Sequence, residues 1–151
     1  MNKIIIVAVI LIIIATAFYY FNQTGEQGNN SPENIQTLDT EIEAAIDSKR
    51  YYDAKELINE SINIEPENPE RYIQLGNLEA SRGMTEEALV AWESAVALNP
   101  NDIGVRFKLA HLYGIVGEDS KAETHLEAVA EIDPEALEKG PIEYFKETEQ
   151  D

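Results

Sequence analysis

His111 and His125 are the two imidazoles of the chain, and cysteine is absent. Without a thiol there is no disulfide, no thiolate metal site and no cysteine nucleophile. The histidines stand 14 residues apart, and helical phase points them in different directions, so their spacing does not build a metal site. No His-Glu-x-x-His run, phosphate-cradling glycine loop or nucleophile elbow occurs. The paired carboxylates Glu86 and Glu87 fall at a predicted helix start, where negative charge favours the helix dipole. These residue types and spacings predict no enzyme, no cofactor and no metal, with both histidines structural or groove groups.

The charge balance narrows the partners. The chain carries 29 acidic and 11 basic residues, a formal charge of −18. Lys3 alone precedes the apolar block at the N-terminus, and every acidic residue lies C-terminal to that block. Nucleic-acid binding depends on Lys and Arg neutralising phosphate, and this surface repels it. An acidic surface keeps a protein soluble, and it also suits a partner with basic residues.

Residues 4–21 (IIIVAVILIIIATAFYYF) contain no charge. As a helix they span roughly 27 Å, enough for a bilayer core. The run ends in Phe18, Tyr19, Tyr20 and Phe21, which suits an aromatic belt at the interface. Lys3 places residues 1–3 in the cytoplasm, and residues 22–33 have no basic residue, so the rest is expected outside the cytoplasm. The competing reading is a cleaved signal peptide, with Ala15-Thr16-Ala17 as the small-residue site, which would make the protein secreted. Residues 22–33 read as a flexible linker, with Gly25, Gly28 and Pro32 and few apolar groups.

Beyond the linker, Pro32, Pro66, Pro100 and Pro134 recur every 34 residues. Asn34, Asn68 and Asp102 come two residues after the first three, and all favour a helix N-cap. Each unit divides into two apolar stripes around a break, at Gly83 in the second unit and Gly117 in the third. The second helix of the third unit opens with Ser120 and Glu123, the spacing of a capping box. Small residues (Gly76 and Ala110; Ala54, Ala88 and Ala122) mark close helix crossings, and Ile58, Trp92 and Leu126 fill the interlocking positions. After Pro134, Leu137, Ile142 and Phe145 are expected to cover the last hairpin. The expected divisions are three repeats over 34–135 (34–67, 68–101 and 102–135) and a cap with a polar tail over 136–151. A period of this length signals a stacked helical array.

The pattern Tyr72-x-x-Leu75-Gly76, Gly83, Ala88, Trp92, Ala95, Pro100 resembles the tetratricopeptide repeat, and Leu109-Ala110-x-x-Tyr113, Gly117, Ala122, Val129, Pro134 matches it again. The first unit departs, with Glu41 where leucine is usual and Lys49 where glycine is usual; Glu79 stands at a normally aromatic position. The resemblance implies an all-α, right-handed helical solenoid and a protein-binding scaffold, adaptor or assembly factor. Such a fold specifies function weakly. It also implies a concave groove lined by the first helix of each hairpin. Carried over, that surface holds Asp39, Glu43 and Asp47, then Glu70, Ile73 and Asn77, then Phe107, His111 and Ile115. The expectation is a cation-free groove, acidic at one end and apolar at the other, for a peptide with basic and apolar residues. The alternative function is a constitutive subunit of a membrane complex.

Overall fold

The computed structural model describes Thr16 and residues 32–148, and the chain divides into two compact units, residues 1–40 and 41–151. The expected membrane segment 4–21 and the linker up to residue 31 lie outside the described residues, apart from Thr16. Among the described residues no helix is long and apolar enough to cross a membrane. Seven helices and no strand occupy the described part: α1 (Pro32–Asp47), α2 (Tyr51–Ile64), α3 (Pro69–Ser81), α4 (Thr85–Leu98), α5 (Ile103–Val116), α6 (Asp119–Ile132) and α7 (Pro134–Thr148).

Two of the three expected N-caps form. Asn68 accepts the backbone N–H of Glu70 at 3.1 Å, with Pro69 at the first helical position, where its missing N–H costs nothing. Asp102 accepts that of Val105 at 2.9 Å. Asn34 is no cap, because α1 already starts at Pro32. The Ser120–Glu123 capping box does not form either: α6 begins at Asp119, which puts Ser120 inside the helix. The periodic prolines act through their carbonyls as well. Tyr72 donates its hydroxyl to the carbonyl of Pro66 at 3.0 Å, and Arg106, 34 residues later, donates Nε to that of Pro100 at 2.7 Å.

Each hairpin turns in the same way. Lys49, Gly83 and Gly117 take left-handed φ of 57°, 74° and 79°. The next N–H then reaches back to a carbonyl five residues earlier: Arg50 to Ala45, Met84 to Glu79 and Glu118 to Tyr113, at 2.8–2.9 Å. This closes the helix end as a Schellman motif. The first hairpin makes that turn with Lys49, at a conformational cost that glycine avoids.

Within the second unit of the chain, the core forms between successive helices. Ile42 and Ala45 of α1 meet Ala54 and Ile58 of α2 and Leu78 of α3. A larger group joins Ala88, Trp92 and Val96 of α4 to Val105, Leu109 and Tyr113 of α5. Ile58 and Leu109 have no exposed surface, and burying such a side chain contributes about 1.5–3 kcal/mol. Gly76 sits directly under the Trp92 indole, and any Cβ there would collide with the ring. Phe107, Val129 and Ala136 form the last group, with Leu137 and Tyr144 packed on it. α7, kinked at Gly140 before Pro141, thus packs on this last group. The side chains of Ile142 and Phe145 lie outside the described residues. The cap leaves Leu126 36 % exposed, although its counterparts Ile58 and Trp92 are buried.

Candidate interaction surface

Glu70, Ile73 and Asn77 share one face of α3 through their spacing of three and four residues. Glu70 and Asn77 are exposed there, while Ile73 leans into the core. On α5, His111 is exposed and Ile115 is 64 % exposed. The two helices are tied by Lys108, whose Nζ donates to Asn77 Oδ1 at 2.8 Å and lies 5.8 Å from the Trp92 ring centroid. Burial pushes the Lys108 ammonium below the usual lysine range, while Asp102 and Glu70 pull it upward.

This geometry corrects the expected surface twice. Phe107 is 2 % exposed and meets Tyr144 edge to face, with centroids 5.6 Å apart. It belongs to the core under α7 and is not an exposed anchor. The surface also contains a cation, Lys108, contrary to the expectation of none. The signal was in the spacing: Gly104, Lys108, His111 and Ile115 keep the intervals four, three and four, one residue of rotation away from Phe107. Glu43 and Asp47 are exposed on the last turns of α1. Asp39 lies on α1 in the first unit of the chain.

The opposite side of α3 carries different chemistry. Tyr72, Leu75 and Glu79 line a cleft of about 560 Å³ between α2 and α4. Glu79 is 1 % exposed, and its carboxylate is held by Lys55 of α2 at 2.6 Å and by Arg82 at 2.9 Å. The acid at the normally aromatic position is thus neutralised by a cation from the neighbouring hairpin. A second polar group joins α4, α5 and α6. Glu93 Oε1 accepts the Tyr113 hydroxyl at 2.9 Å and faces His125 Nε2 at 3.1 Å. Desolvation, then the hydrogen bond to Glu93, pushes the Tyr113 phenol up to about 12. With the proton on Nε2, His125 donates to Glu93, and its Nδ1 is buried without a partner among the described residues. His111 and His125 therefore sit in unlike settings, one exposed on α5 and one buried on α6. Among the described residues no group of three metal-ligating side chains occurs.

Residues 76–117 match the family model described as TPR repeat. Among solved structures, a crystal structure of MamA is similar at 22% identity and a TM-score of 0.60, over 86% of this chain and 83% of that one. The type III secretion translocator chaperone SycD of Yersinia enterocolitica is similar at 18% identity and 0.62, over 80% and 92%. SycD in complex with a peptide of the translocator YopD matches at 19% and 0.62, over 72% and 85%. No protein of curated function matches the chain. Residues 76–117 are thus similar to a tetratricopeptide repeat, and the helical array shares the fold of these solved structures.

Proposed function

We propose that this chain is a membrane-anchored, extracytoplasmic scaffold that binds a partner protein through the surface shared by α3 and α5. The observation that carries the reading is the pairing of an exposed Ile115 with the Lys108–Asn77 bridge and the exposed His111 and Glu70. A large apolar side chain beside polar groups of two helices is the kind of surface that a peptide side chain covers. Glu43 and Asp47 on α1 would attract basic residues of the same partner. Lys108 does not allow a purely cationic ligand at the α5 end, so the basic residues belong toward α1 and the apolar one beside Ile115.

Anchoring rests on the sequence: Lys3, the uncharged run 4–21 and the absence of basic residues in 22–33. External protease should therefore degrade the helical array in spheroplasts with an intact inner membrane. Protection until lysis would overturn that topology. The partner is to be found by crosslinking and pull-down from native membranes. A constitutive subunit is the second reading, favoured by the exposed Leu126 and Ile132 on the last hairpin. Extraction in mild detergent separates the two, because a fixed subunit co-purifies in constant ratio and an adaptor does not.

A further inference from the structure

The 34-residue period allows the cleft beside α3 to be compared with the same place one hairpin later. The cleft positions Asn59, Glu79, Glu87 and Ala91 correspond to Glu93, Tyr113, Lys121 and His125. In the later place these four side chains form a plug. The Tyr113 and His125 rings stack with centroids 5.7 Å apart and planes 8° from parallel. Glu93 receives both polar ends, and the Lys121 ammonium lies 5.0 Å from the Tyr113 centroid. In the earlier place every part of the plug is missing. Glu79 is drawn to Lys55 and Arg82, Ala91 offers a methyl group where the imidazole would stand, and Glu87 is an acid where the plug has a cation.

We propose that this cleft is a second docking site, for a protein segment that presents an aromatic side chain beside a Lys or Arg. Such a segment brings from outside what Tyr113, His125 and Lys121 provide within the chain. The apolar lining of Tyr72, Leu75 and Ala91 suits a ring, and Val90 at the cleft is 68 % exposed. Glu86 and Glu87 line the cleft, and no cation among the described residues pairs with either. Among the described residues the one cation lining the cleft is Lys55, and it is committed to Glu79. Acid beside an apolar hollow selects a cation next to the ring and disfavours an acidic neighbour. The site is independent of the surface between α3 and α5. At 3.6 residues per turn, Tyr72, Leu75 and Glu79 leave α3 on the side opposite Glu70, Ile73 and Asn77.

The test titrates the full-length, isotope-labelled protein in mild detergent with the capped tripeptide acetyl-Arg-Trp-Arg-amide, monitored by backbone amide shifts. Saturable shifts are expected at Leu75, Val90 and Ala91, with acetyl-Glu-Trp-Glu-amide binding at least about tenfold more weakly. Glu86→Lys with Glu87→Lys, and separately Val90→Asp, should each weaken the basic peptide by about tenfold or more. None of these three side chains is buried, so the fold should tolerate the changes. Glu79→Tyr with Ala91→His restores the two stacked rings of the plug and should abolish binding; if that variant does not fold, the other two decide. Asn77→Ala and Ile115→Asp should leave this peptide's affinity unchanged, which separates failure here from failure of the α3–α5 surface. Shifts centred on Asn77, His111 and Ile115, equal affinity for the two peptides, or no saturable binding at millimolar peptide would each overturn the proposal.

Discussion

Glu79 is a buried carboxylate whose two cations are not equally buried with it. The side chains of Lys55 and Arg82 retain 38% and 28% of their surface, against 1% for Glu79. Removing the acid lets both cations turn toward water, whereas removing both cations strands a charge in the interior. Lys55→Met with Arg82→Met should therefore cost about 3–5 kcal/mol, and Glu79→Leu less than about 2 kcal/mol. Chemical denaturation of the two variants measures this, and a reversed order would show that Glu79 is solvated. Tyr113 gives a pH signature. Its phenol is raised to about 12 in the folded protein from an ordinary 10. Between those values the unfolded chain releases its proton first, so stability is fully present below pH 10 and is lost as pH rises toward 12. Tyr113→Phe should remove this part of the alkaline loss, and at neutral pH it should cost about 0.5–1.5 kcal/mol for the hydrogen bond to Glu93. Melting temperatures from pH 8 to 12 compare the two proteins; parallel curves would remove Tyr113 from the alkaline transition.

The helices and turns carry their own tests. Lys49 holds a left-handed φ of 57° at the place where the later hairpins use glycine. That conformation costs a non-glycine residue about 1–2 kcal/mol, and glycine returns part of the gain as backbone entropy in the unfolded chain. Lys49→Gly should thus stabilise by about 0.5–1 kcal/mol, read from the midpoint of urea unfolding. An unchanged midpoint would mean that the turn is not strained. Helix crossing is tested at Gly76, where a methyl group would meet the Trp92 indole. Gly76→Ala should destabilise by about 1–3 kcal/mol through overpacking. Gly114 has open space around it in an otherwise regular helix. Gly114→Ala should stabilise by about 0.5–1 kcal/mol. Equal shifts in the same direction would show that propensity decides both positions and that the crossing is loose.

For the molecule as a binding device, charge and apolar contact should act on different rate constants. Exposed acids on α1 steer encounter over long range, so Glu43→Gln with Asp47→Asn should slow association of the crosslinked partner and flatten its salt dependence. Ile115 would act by buried contact, so Ile115→Asp should speed dissociation by about tenfold or more. Binding kinetics at two salt concentrations separate the effects. If neither changes while Val90→Asp does, the partner uses the cleft beside α3 instead of the surface between α3 and α5. Phe107→Ala serves as a different control: it should lower stability by about 3–5 kcal/mol, since the ring is core.

The 34-residue proline period, the apolar stripes and the small residues at helix crossings were legible without coordinates, because they are local or periodic properties of the chain. They set the helix order, the hairpin breaks at Gly83 and Gly117, and the caps at Asn68 and Asp102. The family resemblance implied a binding face that included Phe107, and there it failed. A helix shows several apolar residues at its edges, and only the helix packed next to it decides which of them is covered; α7 covers Phe107 and leaves Ile115 open. Lys108 lies one residue further round α5, and its bond to Asn77 joins positions 31 residues apart, which no window of local sequence contains. Glu79 was visible as a departure from the repeat, yet its partner Lys55 comes from the preceding hairpin. Composition and periodicity thus determined an acidic, all-helical repeat array. Which side chains meet across hairpins, and hence which hollows stay open, is a property of three-dimensional neighbours, and only the tertiary structure decided it.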